Sequence, residues 1–383
     1  MRAVVITKHG DLSVLKVEQR PDPPPPGPGQ VRIAVRAAGV NFADHLARVG
    51  LYPEAPKTPC VVGYEVSGTI EAVGAGVDDS RVGERVLAGT RFGGYSEIVN
   101  VKVADTVHLP DNLSFEQGAA VPVNYATAWA ALFGYGAPKA GERVLIHAAA
   151  GGVGTAAIQL AKPTGVEIHG TASPGKHPAL KKMGVDRTID YRRDGWWKDL
   201  PPYDFVLDAI GGASLRRSYD LLRPGGKLIA YGISALQQGE KRSLRTALPQ
   251  LLPMLRGFNL TKQLSESKQS SASTCWHCGT TGAPSNRGSA RCRRLWRTAP
   301  CHQLCTPPYR STTRAKHTAS SPHARTSARW SWSPSSRRAA GARSAVGRAR
   351  RNSASAPRAP VRRTCRRQVR RVSAPCPPPH RDG

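Results

Sequence analysis

Cysteine is almost absent from most of this 383-residue chain. Cys60 is the only cysteine in residues 1–268, and the other seven of the eight lie after residue 274. A single thiol cannot form a disulfide framework, which excludes a disulfide-stapled secreted domain for this part of the chain. The first 268 residues therefore predict a cytoplasmic protein.

Long uninterrupted apolar runs are absent as well. Two uncharged segments, 117–138 and 144–161, approach membrane-spanning length. The first contains Pro122, Asn124 and Pro138, and the second contains a glycine-rich turn, so both are better explained as buried core. The first eight residues have too short an apolar stretch for a secretory leader. We therefore expect no membrane insertion and no leader.

Residues 269–383 contain very few acidic and large aliphatic side chains. Asp382 is the only acid there, and Ile, Phe and Met do not occur, whereas the segment holds 24 of the 56 Lys and Arg residues. Such a composition cannot bury enough apolar surface to offset the entropy of ordering, so it predicts a disordered tail. The arginine pairs suggest a nucleic-acid tail and Cys275-x-x-Cys278 suggests zinc, but neither spacing matches a finger or ribbon. We expect no specific nucleic-acid partner.

The most informative motif lies in residues 141–162. The apolar run 144–148 predicts a buried parallel strand, and 156–161 predict a helix. Between them Ala149, Gly151 and Gly154 fill the three positions of a G-x-G-x-x-G fingerprint. Gly151 lets the backbone approach a pyrophosphate, Gly154 lets the helix pack closely on the strand, and the helix N-terminus faces the phosphates. The alternative is a tight turn with a structural role only.

Strand-like segments surround this motif in two different patterns. Residues 1–123 contain short strands with turn residues between them, and Val31, Ile33 and Val35 alternate with polar or small neighbours. After the glycine turn, strands and a helix alternate, which is typical of a doubly wound parallel sheet. The predicted elements are strands 166–171, 187–190, 205–210 and 227–232, and a helix 176–183.

The motifs resemble those of a known family. The chain is similar to the zinc-independent quinone oxidoreductases, of zeta-crystallin type, in the medium-chain dehydrogenase/reductase superfamily, and especially to their vesicle amine transport protein branch. The resemblance covers residues 1–268. Besides the glycine turn it rests on these motifs: Asn41-Phe42-Ala43-Asp44, Gly50-Leu51-Tyr52, Val123-Asn124-Tyr125, Gly170-Thr171-Ala172-Ser173 and Gly239-Glu240-Lys241-Arg242.

The resemblance implies an α/β fold with two domains. A GroES-like β-barrel catalytic domain would span 1–123, and a Rossmann nucleotide-binding domain would span 124–268. The implied reaction is NADPH-dependent hydride transfer to a quinone or an α,β-unsaturated carbonyl, and the family form is expected to be a homodimer. A catalytically weak or inactive adaptor that only binds NADPH is the alternative.

The resemblance also indicates which polar residues face the reaction. Asn41 and Tyr52 match positions beside the nicotinamide and the substrate, so they are predicted as catalytic, and Thr127 matches a position that bonds near the nicotinamide. The alternatives are structural. Asn41 would cap a helix over 42–49, Tyr52 would be a turn aromatic, and Thr127 would bond its own helix backbone. A further helix is predicted over 124–133 with Asn124 as its cap.

Zinc ligands are missing where related dehydrogenases carry them. Those enzymes have a cysteine near position 41 and a Gly-His-Glu element, whereas this chain has Asn41 and Gly63-Tyr64-Glu65. A catalytic zinc needs about three Cys, His or carboxylate ligands. We therefore predict metal-free chemistry.

The end of the second Rossmann strand predicts the cofactor. An NAD site places an acid there to bond the ribose 2′-hydroxyl, but this chain has Ala172 and Ser173, and Glu167 lies at the strand's beginning. A 2′-phosphate is then acceptable, which favours NADPH; a surface Lys176 without a role is the alternative. By motif and resemblance the predicted cofactor-binding residues are Thr127, Ala149, Gly151, Gly152, Val153, Gly154, Ser173, Lys176, Tyr191 and Gly232.

The break near residue 269 suggests a change of reading frame. Shifting the frame makes the codons of Cys275 to Cys278 encode Leu-Ala-Leu, and the flanking codons permit a strand sequence that resembles the family. The tail would then be an out-of-frame translation, the sixth sheet strand would be missing, and the product would be poorly soluble and weakly active or inactive.

Overall fold

Alternating apolar residues build the first sheet. Val31, Ile33 and Val35 point into the core, as predicted, and the residues between them are less buried. Period-two alternation of this kind places one face of an antiparallel sheet on a core. The structure is a computed structural model and describes residues 1–236, 263, 265–272 and 330–331.

The N-terminal region contains seven strands and two helices. β3 is central, since it pairs antiparallel with both β4 and β6, and β4 continues through β5 to β7, while β1 and β2 form a separate antiparallel pair. The elements are β1 (Arg2–Ile6), β2 (Leu15–Gln19), β3 (Gln30–Ala38), α1 (Phe42–Arg48), β4 (Glu65–Val73), β5 (Arg85–Gly89), β6 (Ile98–Lys102), β7 (Thr106–His108) and α2 (Phe115–Ala119).

The second region alternates strands and helices. The elements are α3 (Pro122–Trp129), β8 (Arg143–Ile146), α4 (Gly152–Ala161), β9 (Glu167–Ala172), α5 (His177–Lys182), β10 (Arg187–Asp190), β11 (Tyr203–Asp208), α6 (Ala213–Asp220), β12 (Leu222–Ala230) and β13 (Gln269–Ala272). The strand order is β10-β9-β8-β11-β12-β13, and every pair is parallel. This is the strand order of a doubly wound sheet. The direction in which strands are added reverses between β8 and β11, at whose carboxyl ends the switch point lies. The predicted α/β fold is confirmed.

Both faces of the parallel sheet are covered. On one face α4 packs Ile158 against the sheet with α3 beside it, and on the other α6 buries Leu215 and Tyr219. Burial on both faces explains why β8 reads as a continuous apolar run rather than an alternating one. The carboxyl ends of the strands are thereby held in fixed positions.

The expected loss of the sixth strand is wrong. β13 pairs with β12 in a parallel register that runs from Gln269 opposite Lys227 to Ala272 opposite Ala230. Pairing is made by backbone groups, so a strand of Gln, Ser and Ala can complete the ladder without large apolar side chains. The sheet thus extends four residues past the predicted boundary at 268.

Little of the predicted disordered tail is described. Besides β13 it contributes β14 (Trp330–Ser331), which pairs antiparallel with Ala37 and Ala38 of β3. The rest of the tail, the reading-frame hypothesis and motif 239–242 lie outside the described residues. All described residues belong to one compact unit, 1–333, and a second unit comprises 334–383. No helix within the described ranges is long and apolar enough to cross a membrane.

Candidate active site

The glycine turn connects β8 to α4 at the carboxyl end of β8, where the strand order of the sheet reverses. The Gly151 N–H donates to the Ala148 carbonyl over 2.8 Å, and Ala148 adopts a left-handed φ of 50°. A Cβ at Gly154 would lie 2.5 Å from the Ala148 carbonyl oxygen, so only glycine lets α4 begin this close to the turn. A Cβ at Gly151 would meet only that oxygen, at 3.2 Å. The space in front of Gly151 is therefore open, as a bound pyrophosphate requires.

The start of α4 is packed against α3. A Cβ at Gly152 would lie 2.3 Å from the Asn124 Oδ1, so the two helices meet there. Asn124 is not a helix cap, which corrects the prediction. α3 begins at Pro122, a residue suited to the first helical position, and the Asn124 Nδ2 donates to the Ala120 carbonyl over 2.8 Å. Val153 is half-buried in the first turn of α4.

Ala149 lies beneath the turn rather than on its open side. It is fully buried, and a Cβ at Gly170 would lie 2.8 Å from its methyl group. Alanine at the first fingerprint position thus fills space between β8 and β9, which a glycine would leave empty. Ala149 supports the turn, whereas Gly151 borders the open space.

The predicted 2′-phosphate residues lie at two neighbouring strand ends. Ala172, the last residue of β9, pairs with Asp190, the last residue of β10, so Ser173 and Tyr191 follow adjacent positions. Lys176 ends a short 3-10 turn after Ser173, and both Lys176 and Tyr191 are exposed. At this edge Lys176 presents a cation and Tyr191 an aromatic ring to solvent, beside the exposed Arg192.

The distribution of acids at this edge is only partly as expected. Glu167 begins β9, where its carboxylate bonds Arg143 and His169, each over 2.7 Å. Asp190, which the sequence analysis did not consider, lies beside the end of β9. Its carboxylate accepts from the backbone N–H and the Nε of Arg192 at 3.1 and 3.2 Å, and these bonds hold the pKa of Asp190 below its usual value.

Gly232 follows β12 where two loops come close together. A Cβ there would lie 2.5 Å from the Ala209 carbonyl oxygen, in the loop after β11. That loop is held by the buried Asp208, whose Oδ1 accepts from the backbone N–H groups of Ile210 and Gly211 at 2.7 and 3.0 Å. Gly232 therefore helps to form the carboxyl edge of the sheet beside the glycine turn.

A buried polar network supports the turn from behind. The His147 Nε2 lies 2.9 Å from the Ser218 hydroxyl, which donates to Asp208 over 2.7 Å, and the His147 Nδ1 lies 3.2 Å from the Thr171 Oγ1. Thr171 also accepts from the backbone N–H of Ala148. Burial lowers the pKa of His147, which favours the neutral ring. Ala148 and the adjacent His147, which follow β8, are thus hydrogen-bonded to side chains of β9 and α6.

In the N-terminal region of β1 to β7, called the barrel below, Asn41 is bound to a buried glutamate. The Asn41 Nδ2 donates to the Glu65 Oε1 over 3.0 Å, and the other oxygen, Oε2, accepts from the backbone N–H of Val123 over 2.8 Å. Glu65 is 1% exposed, and burial raises its pKa to about 8. One carboxyl group therefore connects the residue before α1 to the first turn of α3.

A second buried acid fixes the start of α1. Asp44 accepts from the backbone N–H groups of Asn41 and Gly63 at 2.9 and 3.0 Å and from the Tyr95 hydroxyl at 2.8 Å. Burial raises the pKa of Asp44 to about 6, although the three donors lower it. Asn41 is the N-cap residue of α1, where Asp44 fixes its backbone N–H, and its side-chain amide bonds Glu65.

Tyr52 belongs to an aromatic group in the barrel. Its ring meets that of Tyr64 edge to face, with centroids 6.2 Å apart, and Tyr64 in turn packs on Phe92 at 5.2 Å. Burial raises the pKa of Tyr64, and the hydroxyl of Tyr52 contributes to the increase. Tyr52 is half-buried, and its catalytic role stays a prediction.

The predicted site residues thus form two groups. Thr127 is buried on α3 one turn after Val123, so Glu65 and α3 join Asn41, Thr127 and the glycine turn. Ser173, Lys176 and Tyr191 form the second group, at the edge of the parallel sheet. The sequence analysis named Glu65 only as part of the Gly63-Tyr64-Glu65 motif and did not predict it as a site residue. Among the described residues, no group of three or more His, Cys, Asp or Glu side chains is placed to hold a metal ion.

Two family profiles match the two regions. The alcohol dehydrogenase GroES-like domain matches residues 27–111, and the zinc-binding dehydrogenase family matches residues 152–268. The matches thus cover the N-terminal strands with Asn41 and the nucleotide-binding region from the start of α4 onward.

Known proteins give the same result. The synaptic vesicle membrane protein VAT-1 homolog of Danio rerio is 42% identical over 249 residues, which are 63% of this chain and 51% of that protein. The chain thus matches about half the length of that relative. A quinone oxidoreductase of Pseudomonas syringae pv. tomato DC3000 is 31% identical with a TM-score of 0.66, covering 79% of this chain and 89% of that one.

A third comparison includes a cofactor. The structure of Escherichia coli quinone oxidoreductase complexed with NADPH is 27% identical with a TM-score of 0.65, covering 80% of this chain and 90% of that one. The motifs, the doubly wound sheet and these similarities agree. The chain therefore belongs to the quinone oxidoreductase type of the medium-chain dehydrogenase/reductase superfamily, close to the VAT-1 homologues.

Proposed function

We propose that this protein is an NADPH-dependent reductase that transfers hydride to a quinone or an α,β-unsaturated carbonyl without zinc. The open space in front of Gly151, at the N-terminus of α4, is the observation that carries the proposal. The free backbone N–H groups and the helix dipole at this end of α4 suit a pyrophosphate. NADPH would supply the hydride, and the protein binds it, orients its ring and excludes water.

The choice of NADPH rests on the edge formed by β9 and β10. Ser173 follows β9 without a carboxylate, Lys176 supplies a positive charge, and Tyr191 supplies an exposed ring. A 2′-phosphate would gain a charge-assisted bond to Lys176. The Asp190 carboxylate lies beside this edge and would repel a phosphate, but its bond to Arg192 already neutralises that charge.

We propose chemistry without zinc because the residues at the two zinc-ligand positions are not zinc ligands. Asn41 stands where zinc dehydrogenases have a cysteine, and its amide is bonded to Glu65. Tyr64 stands where they have a histidine, and its ring is buried against Phe92. These two side chains have the wrong chemistry for zinc ligands. Tyr52 or solvent would deliver the proton that accompanies the hydride.

The reaction can be tested directly. Purified full-length protein should oxidise NADPH with 1,4-benzoquinone or an enal as acceptor, and prior dialysis against a chelator should not change the rate. Binding of NADPH without turnover by any acceptor in a panel of quinones and enals would instead support the second candidate, an NADPH-binding adaptor. The similarity to a synaptic vesicle membrane protein favours that candidate.

We also propose a homodimer for this protein. β13 ends the strand order of the parallel sheet among the described strands, and an edge strand offers backbone groups to a second copy. Sedimentation of the full chain tests this, and a monomer at micromolar concentration would contradict it.

A further inference from the structure

Glu65 is one of the few nearly fully buried carboxyl groups, and it lies where the barrel meets the nucleotide-binding region. It is 1% exposed, and each of its oxygens accepts one N–H. A buried carboxyl is costly unless both oxygens are paired, so both donors are needed for it to remain there. One donor is the Asn41 side chain, and the other is the backbone of α3 at Val123.

The two donors belong to different parts of the candidate site. Asn41 immediately precedes α1 in the barrel, and α3 carries Thr127 and packs on the start of α4 through Asn124. The Val123 N–H lies in the first turn of its helix, where N–H groups have no partner within the helix and a carboxylate is favoured by the dipole. Glu65 thus contacts both regions that a cofactor between them would contact.

We propose that Glu65 is a positioning residue for the hydride transfer. Its carboxyl group holds the Asn41 amide and the first turn of α3 as one hydrogen-bonded unit. This inference rests on the proposed function. Glu65 acts through Asn41: the bond to Oε1 fixes which amide atom Asn41 presents away from the glutamate. The nicotinamide side of the barrel is thereby oriented relative to the helix that reaches the glycine turn.

The charge of Glu65 affects this unit. Two donors require two acceptors, which the carboxylate provides fully, whereas the neutral acid carries a proton on one oxygen. Burial raises the pKa of Glu65 to about 8. The other titratable groups that interact with it are Asp44 of α1, whose pKa is raised to about 6, and Tyr95, whose pKa is raised well above its usual value. Among these three groups only Glu65 has a pKa near 8, so turnover should rise as the pH passes through 8.

A double-mutant cycle tests the inference in the full-length protein. The variants are Glu65→Gln, Asn41→Ala and their combination. Glu97→Gln is the matched control, because Glu97 also joins two segments of the barrel, through Arg2, without touching the site. Above pH 8, where Glu65 is ionised, we expect Glu65→Gln to lower kcat about tenfold, with KM for NADPH changed less than threefold, and the variant should lack the step near pH 8. The combination should be no slower than Asn41→Ala alone.

Additive effects on kcat, or an unchanged pH profile in Glu65→Gln, would overturn the inference. A second measurement separates its failure from failure of the proposed function. Measured above pH 8, amide hydrogen exchange of segments 39–48 and 120–129 should accelerate at least fivefold in Glu65→Gln and remain unchanged in Glu97→Gln. If the wild-type protein shows no turnover, the proposed function fails, and exchange alone decides. Acceleration in only one segment, or in neither, shows that Glu65 does not join them.

Discussion

The two sides of the candidate site are built from different materials. On the nucleotide side the glycine turn offers backbone N–H groups, and its side chains are hydrogen atoms and methyl groups. On the barrel side two buried carboxyl groups, Glu65 and Asp44, organise the residues around Asn41. Both sides are rigid, but for different reasons: close backbone packing on one side and satisfied buried polar groups on the other.

This difference determines how each side can fail. A backbone site fails by steric exclusion, so a single methyl group suffices, and pH has little effect. A site organised by buried acids depends on their ionisation as well as on packing. The predictions below test that contrast.

The largest pH effect on stability is expected from the ionisation of Glu65. Its pKa is raised from 4.5 to about 8 on folding, so between these values the folded protein holds one more proton than the unfolded chain. Stability is therefore highest at low pH and is lost as the pH rises through this window, by up to about 1.4 kcal/mol per pH unit. Urea unfolding of the wild type at pH 6.5 and pH 8 should differ by about 2 kcal/mol from this source.

Glu65→Gln should remove this slope, since glutamine does not titrate. The window above pH 6.5 avoids Asp44, whose pKa is about 6, and the buried His147, whose pKa is lowered. Glu97→Gln is the control, because Arg2 lowers the pKa of Glu97 and so moves it away from this window. An equal slope in wild type and Glu65→Gln would show that Glu65 is ionised throughout.

The glycine turn should respond to methyl groups in two distinct ways. Gly154→Ala puts a Cβ 2.5 Å from a backbone carbonyl oxygen, so we expect a loss of about 1–3 kcal/mol of stability together with loss of NADPH binding. Gly151→Ala brings its Cβ to 3.2 Å from one backbone carbonyl oxygen only and otherwise fills the space in front of the turn, so NADPH affinity should fall at least tenfold with a smaller loss of stability than in Gly154→Ala.

Thermal unfolding and NADPH fluorescence titration separate these outcomes. Gly89→Ala is the matched control, because its Cβ would meet nothing within 4 Å and the residue lies in the barrel. Tight NADPH binding by Gly151→Ala would place the cofactor phosphates elsewhere, whatever happens to Gly154→Ala.

The contrast also explains what could be predicted from sequence. Gly151 and Gly154 were identifiable because close approach accepts only glycine, and the constraint spans four residues of local sequence. Glu65 lies 24 residues from Asn41, and only the pairing of the barrel strands and the position of α3 bring the two donors to it. Long-range pairing of this kind leaves no periodic signal in the chain.

Two other differences have local causes. Asparagine is a common cap residue, but the helix begins at Pro122, two residues before Asn124. The Asn124 amide therefore bonds the Ala120 carbonyl instead. β13 has no apolar pattern, because an edge strand needs only a backbone ladder, and composition therefore predicted disorder there. The fold class was readable because the apolar strands of the centre, such as β8, do carry the pattern.

The smallest effect is expected at the edge of the sheet, where the site is exposed. Lys176→Ala should lower kcat/KM for NADPH about tenfold, equivalent to about 1.4 kcal/mol, and leave the value for NADH unchanged. The reason is that Lys176 is placed to meet only the group that distinguishes the two cofactors. Because both the lysine and the phosphate are solvated, raising the salt concentration should reduce the difference between the variant and the wild type.

Lys181→Ala is the control, since Lys181 is an exposed lysine on the neighbouring helix α5 and faces no predicted phosphate. An equal loss in both variants would reflect the overall positive charge of the chain, which steers any anion, rather than a binding position. An equal loss for NADPH and NADH in Lys176→Ala would remove the argument for NADPH while leaving the glycine turn as a dinucleotide site. The acidic neighbour Asp190 would then be the residue to test next, because a carboxylate freed from Arg192 can accept the ribose hydroxyl of NADH.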